Sequence, residues 1–132
     1  MAADTAEWRG DVIAGHVQKI HRFSDGTLFA AEGDSEYVEG YIKWRTEGGE
    51  EPPRADEADA FFGIAVDREG IVYWVPRSYK MLIAGHAPYY AGGAAAEFLY
   101  GALAAGATAE EAVRLAIEHC AFAAGTVQVE RL

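Results

Sequence analysis

His16-Val17-Gln18-Lys19-Ile20-His21-Arg22-Phe23, then Ser24-Asp25-Gly26, then Thr27-Leu28-Phe29-Ala30-Ala31, is the stretch that decides the fold. Two runs of β-formers flank a turn signal, which predicts an antiparallel strand pair. Alternation puts Lys19 on one face with Val17, His21 and Phe23. A single lysine thus sits in an otherwise half-buried strand. Upstream, Met1-Ala2-Ala3-Asp4-Thr5 looks like the second half of a strand-turn-strand unit. A carboxylate at Asp4 and an ammonium at Lys19 on neighbouring strands can tune a nucleophile held between them. No nucleophile is evident in that place.

The elements further along are read from period and punctuation. Asp11 to Ala14 is strand-like. From Ser35 to Thr46 the period becomes helical, with Tyr37, Val38, Tyr41, Ile42 and Arg45 on one side and Glu36, Glu39 and Lys43 on the other. Asp34 or Ser35 can cap this helix and Gly48-Gly49 stops it. Glu50 to Asp59, with Pro52-Pro53 and several acids, reads as a solvated loop. Ala60 to Val75 is a hairpin around Asp67-Arg68-Glu69-Gly70. Met81 to Ala84 is a short strand before Gly85-His86. Pro88 suits the first turn of a helix running to about Gly106. Thr108-Ala109-Glu110-Glu111 is a capping box. It opens a helix that buries Val113, Ala116, Ile117 and Cys120 and ends at Gly125. Thr126 to Glu130 is a closing strand. Strands grouped apart from helices predict an α+β fold, and two stacked sheets with helices outside would bury every apolar face.

Composition bounds what such a fold can do. The chain has 132 residues, 51% of them hydrophobic, which suits a single domain spanning 1–132 with a real core. Its formal net charge of -10 argues against a nucleic-acid partner, because phosphate binding needs clustered Lys and Arg. One cysteine, Cys120, cannot form an internal disulfide, so a reducing compartment is expected. Its place on an apolar helical stripe makes it a core residue rather than a nucleophile. No basic segment followed by an apolar run opens the chain, so no secretory leader is expected. Tyr89 to Ala107 is broken by glycines and Glu97, which excludes a membrane span. His16 and His21 fall on opposite sides of a strand, without Cys or Asp at ligand spacing, and His86 and His119 are far apart. Neither metal nor cofactor is therefore expected.

The residues in this order resemble a family. Ala2-Ala3-Asp4, Val17-Gln18-Lys19-Ile20-His21-Arg22, Leu82-Ile83-Ala84-Gly85-His86-Ala87-Pro88-Tyr89 and Glu118 to Leu132 are similar to segments of proteasome β-type subunits. The similarity is greatest to the HslV-like peptidases and their small phage-borne relatives. That resemblance implies the four-layer αββα sandwich of the N-terminal-nucleophile hydrolases, here N-terminally shortened. It implies a threonine protease that cleaves unfolded peptide within a cytoplasmic homo-oligomer of one or two stacked rings, served by an unfolding ATPase. In such enzymes a threonine hydroxyl attacks, with its own α-amine as base. By resemblance Lys19 is the ammonium that lowers the pKa of both, Asp4 the carboxylate that fixes it, and the backbone N–H at Gly33 the oxyanion donor. A cation held by backbone carbonyls near Cys120 is also implied, without side-chain support.

The departures carry weight. The family's first strand, led by the nucleophilic threonine, is not among these residues; an upstream start would supply it. Thr5 does not align with that threonine, and freeing its amine would delete Asp4. The family's serine hydroxyl falls at Gly85 or His86, and Pro52-Pro53 stands where a second helix is common. As written, the chain is expected to be inactive by this mechanism. The alternatives are a non-catalytic ring-forming scaffold subunit and a plain binding module that reuses the pocket. Outside the family, a strand lysine beside an aspartate is usually a surface ion pair worth under about 1 kcal/mol.

Overall fold

A computed structural model describes residues 1–49 and 61–132. The loop expected between Glu50 and Asp59 lies outside the described residues. The chain is mixed α and β and divides into two compact units, one of Met1–Ile20 with Pro88–Arg131, the other essentially His21–Ala87.

In the first unit, β1 (Ala2–Asp4) pairs antiparallel with the closing strand, residues Val127–Val129, placing Ala3 opposite Gln128 and Asp4 opposite Val127. The bond from Glu130 N to Met1 O, 3.0 Å, extends this ladder by one rung. A hairpin follows, β2 (Ala6–Arg9) with β3 (Val12–His16), bulged between Glu7 and Trp8. Gly10, at its tip, takes φ +60, which glycine adopts without a Cβ clash. Two helices cover the unit's alanine-rich core, where Ala95, Ala116 and Ala123 are buried with Phe98, Leu99, Ile117 and Cys120 against them. Small side chains let the elements approach closely.

The second unit is built on a five-stranded sheet in meander order: β4 (Ile20–Arg22), β5 (Leu28–Gly33), β6 (Phe61–Val66), β7 (Val72–Val75), β8 (Leu82–Ile83). The turn after β4 and the β6–β7 hairpin fall where the sequence predicts them. The helix α1 (Ser35–Glu47) starts after Asp34, at the expected boundary, although the Asp34 side chain makes no capping bond. It stops at Gly48, whose φ is +81. The core is aromatic: Phe23, Phe29, Tyr41, Phe61 and Tyr79 are all buried. Phe29 and Tyr41 have ring centroids 4.6 Å apart, and Phe61 meets Tyr79 edge-on at 4.6 Å. Gly63 is required by this packing, since a Cβ there would lie 2.5 Å from Phe29 Cε2.

Three expectations are corrected. The run from His16 to Phe23 is not one strand. β3 ends at His16, Val17 to Lys19 lie outside any strand, and β4 begins at Ile20. The face assignment fails with it: Ile20 is wholly buried while Val17 is 40% exposed. The helix predicted from Pro88 to Gly106 is only α2 (Ala96–Ala104). Gly92-Gly93 resist helix formation, and Gly93 takes φ +94. The next helix, α3 (Ala109–His119), ends before Cys120, whose backbone is extended, rather than running to Gly125. It buries Ala112, Val113 and Ala116 and leaves Ile117 and Cys120 half-buried. The closing strand is β9 (Val127–Val129). The capping box is present, with Thr108 Oγ1 accepting from Glu111 N at 3.3 Å and Thr108 N donating to Glu111 Oε2 at 2.8 Å.

Candidate functional site

Asp4 ends β1 and Lys19 immediately precedes β4, fifteen residues apart in the chain. Lys19 Nζ donates to Asp4 Oδ1 at 2.7 Å. The side chains are 25% and 16% exposed, so water screens the pair only in part. Asp4 Oδ2 accepts from Ala124 N at 3.1 Å. Each carboxylate oxygen therefore has its own donor, which pins the carboxylate plane and, through it, the ammonium. At this exposure the pair contributes about 1 kcal/mol to stability.

The backbone that carries Lys19 is held by a side chain. Gln128 Oε1, from β9, accepts from Lys19 N at 2.8 Å and Ile20 N at 3.1 Å. Gln128 Nε2 donates to Ile20 O at 3.0 Å, and Gln18 Nε2 donates to the same carbonyl at 2.9 Å.

Beside this lies a hydroxyl–imidazole cluster. Thr5 Oγ1 accepts from Thr126 N at 3.0 Å and lies 3.3 Å from His16 Nδ1 and 3.4 Å from Thr126 Oγ1. Gly125, at φ +86, backs onto it: a Cβ there would lie 2.5 Å from Thr5 Oγ1 and 2.7 Å from His16 Nδ1. Thr5, His16, Val17, Gln18, Gly125, Thr126 and Gln128 line an open cleft of about 570 Å³. The Thr5 hydroxyl is thus engaged on several sides.

Two of the three predicted residues meet within one unit. Lys19 and Asp4 are in contact within the first unit. Gly33 belongs to the second unit, at the exposed end of β5 opposite Phe61, with φ +115. Gly85 and His86 lie just beyond β8, both exposed. Among the described residues no group of three His, Cys, Asp or Glu is arranged to hold a metal ion, and no helix is long and apolar enough to cross a membrane. Sequence reading missed Gln128, Thr126 and the role of His16. Gln128 meets Lys19 across 109 positions, and no local pattern marks such a contact.

Known proteins show the fold. No family model and no curated protein matches the sequence. Among solved structures, the chain is similar to a eukaryotic HslV from Trypanosoma brucei at a TM-score of 0.69. The similarity covers 98% of this chain and 90% of that one, at 16% sequence identity. The mixed α/β fold is therefore HslV-like over essentially the whole chain.

Proposed function

We propose that this chain is a threonine-type peptidase subunit of the proteasome β/HslV kind, folded across 1–132 as one αββα N-terminal-nucleophile domain. The observation that carries the reading is the Lys19–Asp4 ion pair, made by the two residues that the resemblance selects, in a chain whose fold is HslV-like throughout.

The chemistry follows from the pair. A threonine hydroxyl is too weakly acidic to attack a peptide at neutral pH unaided. An ammonium beside it favours the alkoxide and keeps the adjacent α-amine neutral and basic. Asp4, held by Ala124 N, keeps the Lys19 ammonium oriented. The α-amine takes the hydroxyl proton, the oxygen adds to the peptide carbonyl, and the backbone N–H at Gly33 stabilises the resulting oxyanion. The amine then protonates the leaving nitrogen, and water releases the acyl group. The nucleophilic threonine is not among residues 1–132, and a threonine-led strand placed before Met1 would supply it. In this reading the protein works in the cytoplasm as a homo-oligomeric ring, fed unfolded chains by an ATPase.

A second reading is a ring-forming scaffold without catalysis. It is favoured by Gly85-His86, which supply no hydroxyl where the resemblance expects a serine. The two separate in one experiment. The chain is expressed with a preceding strand that starts with processed threonine, then assayed on fluorogenic peptides and weighed by native mass spectrometry. A ring that cleaves, and that is alkylated on the threonine oxygen by conjugate addition to a peptide vinyl sulfone, supports the peptidase. A ring that neither cleaves nor labels supports the scaffold and removes the enzyme.

A further inference from the structure

We infer that Gln128 is the positioning residue for Lys19, its side-chain amide standing in for the strand that the Lys19 backbone lacks. The inference rests on the peptidase reading for its functional meaning, but its geometry is independent of activity.

The chain leaves regular strand structure at Val17 and regains it at Ile20. In that gap the backbone polar groups still need partners, because an unsatisfied amide beside the wholly buried Ile20 is costly. Val17 N donates to Thr5 O at 2.8 Å. Lys19 N and Ile20 N both donate to Gln128 Oε1, and Gln128 Nε2 returns a bond to Ile20 O. With Ile20 the carboxamide thus makes one N–H···O bond in each direction, the pattern of a hydrogen-bonded residue pair in an antiparallel ladder. Only a primary amide does this: it offers an acceptor and a donor on one planar group. A carboxylate would present oxygen to the Ile20 carbonyl, and an aliphatic chain would satisfy nothing.

The clamp ties both members of the ion pair to one strand ladder. Gln128 belongs to β9, and β9 pairs with β1, which carries Asp4. Asp4 and the Lys19 backbone are therefore referenced to the same two strands, and the reach from the Lys19 Cα to Asp4 Oδ1 is set by them. Gln18 supplies the internal contrast: it bonds the Ile20 carbonyl but not the Lys19 amide.

The test uses the 132-residue protein and no activity. Its lysines are Lys19, Lys43 and Lys80, and the last two are exposed. Reductive methylation with peptide mass spectrometry gives the rate at Lys19 relative to Lys43. Gln128→Leu is expected to raise that ratio at least about threefold, the scale on which a partly screened ion pair protects an amine. It should also speed hydrogen exchange at the Lys19 and Ile20 amides. Gln18→Leu is expected to leave the ratio unchanged. A purely structural Gln128 would lower the melting temperature without moving the ratio, and that result overturns the inference. An equal rise in Gln18→Leu overturns it too. If Gln128→Leu does not fold, Gln128→Glu is used, which keeps the Oε1 acceptor but loses the donor. That acceptor still serves Lys19 N and Ile20 N, so the ratio should then rise less than twofold and both amides should exchange at close to the parent rate; exchange at either amide as fast as in Gln128→Leu contradicts the clamp. Failure of the peptidase reading shows instead as absent cleavage in the threonine-led protein, which these rates do not touch.

Discussion

Gly125→Ala perturbs the cleft beside the ion pair at its tightest point. A β-carbon there would lie 2.5 Å from Thr5 Oγ1, 2.7 Å from His16 Nδ1 and 2.9 Å from His16 Cε1, so something must shift. The backbone at φ +86 also lies where an L-residue pays about 1–2 kcal/mol. Displacing well-packed neighbours typically costs about 1–3 kcal/mol. Against these, alanine restricts the unfolded chain and returns about 0.4–1 kcal/mol. The expected loss is about 2–4 kcal/mol, read from urea unfolding as a lower midpoint with unchanged slope. The steric share can be isolated. Thr5→Ala removes the atom at 2.5 Å, so the double variant should be less destabilised than the sum of the singles by at least about 0.5 kcal/mol. Thr5→Ala also frees Thr126 N of its acceptor, so by itself it should cost about 1 kcal/mol. If Gly125→Ala stays within about 0.5 kcal/mol of the parent, the range of a neutral surface change, the close approach of Gly125 to Thr5 and His16 is wrong. Strict additivity in the cycle would show that the strain lies in the backbone or against His16 and not against Thr5 Oγ1.

Further predictions concern the framework. The Asp25 carboxyl is held below its usual range, first by the backbone N–H of Thr27 and further by Arg45, whose Nη2 lies 2.8 Å from Asp25 Oδ2. A depressed folded pKa means stability that is fully present above the unfolded value of 3.8 and lost as pH falls through the folded value. Asp25→Asn should therefore flatten the acid limb of a urea-midpoint profile below about pH 4; an unchanged limb contradicts the assignment. Thr108→Ala breaks both halves of the α3 capping box and should cost about 1 kcal/mol, seen as a melting point lower by a few degrees. A loss no larger than for an exposed α3 position such as Arg114→Ala would show the cap to be idle.

How much could be read from the sequence depended on how far the cause lay from the effect. The β6–β7 hairpin was legible because its causes are local. The Asp67 carboxylate accepts from Glu69 N and Ile71 N, both at 2.9 Å, and Gly70 takes φ +84, all within one turn. The α3 capping box was legible for the same reason. The break at Val17 to Lys19 was not, because strand-forming residues there are overridden by Gln128, 109 positions away. The overlong helix from Pro88 shows apolar composition outweighing a glycine pair in the reading and not in the molecule. At the site, no spacing rule joins Asp4 to Lys19. Strand-like surroundings and the resemblance point to the two residues, and the structure brings them to 2.7 Å. The Thr5–His16–Thr126 cluster had no signal, since His16 reads as an ordinary exposed histidine and Thr126 as a strand residue.

The claim on which the account turns is that the Lys19–Asp4 pair activates a neighbouring threonine rather than merely joining two strands. The direct measurement is kcat/KM for a fluorogenic peptide in the threonine-led protein, compared with its Lys19→Met and Asp4→Asn variants. Both should keep native mass and circular dichroism. Lys19→Met should lower kcat/KM by about 10²–10³-fold, the scale of one lost charge-stabilising group, with Asp4→Asn losing less because the ammonium remains. Cleavage at the parent rate in Lys19→Met would leave the ion pair as a strand fastening and contradict the activating role given to it.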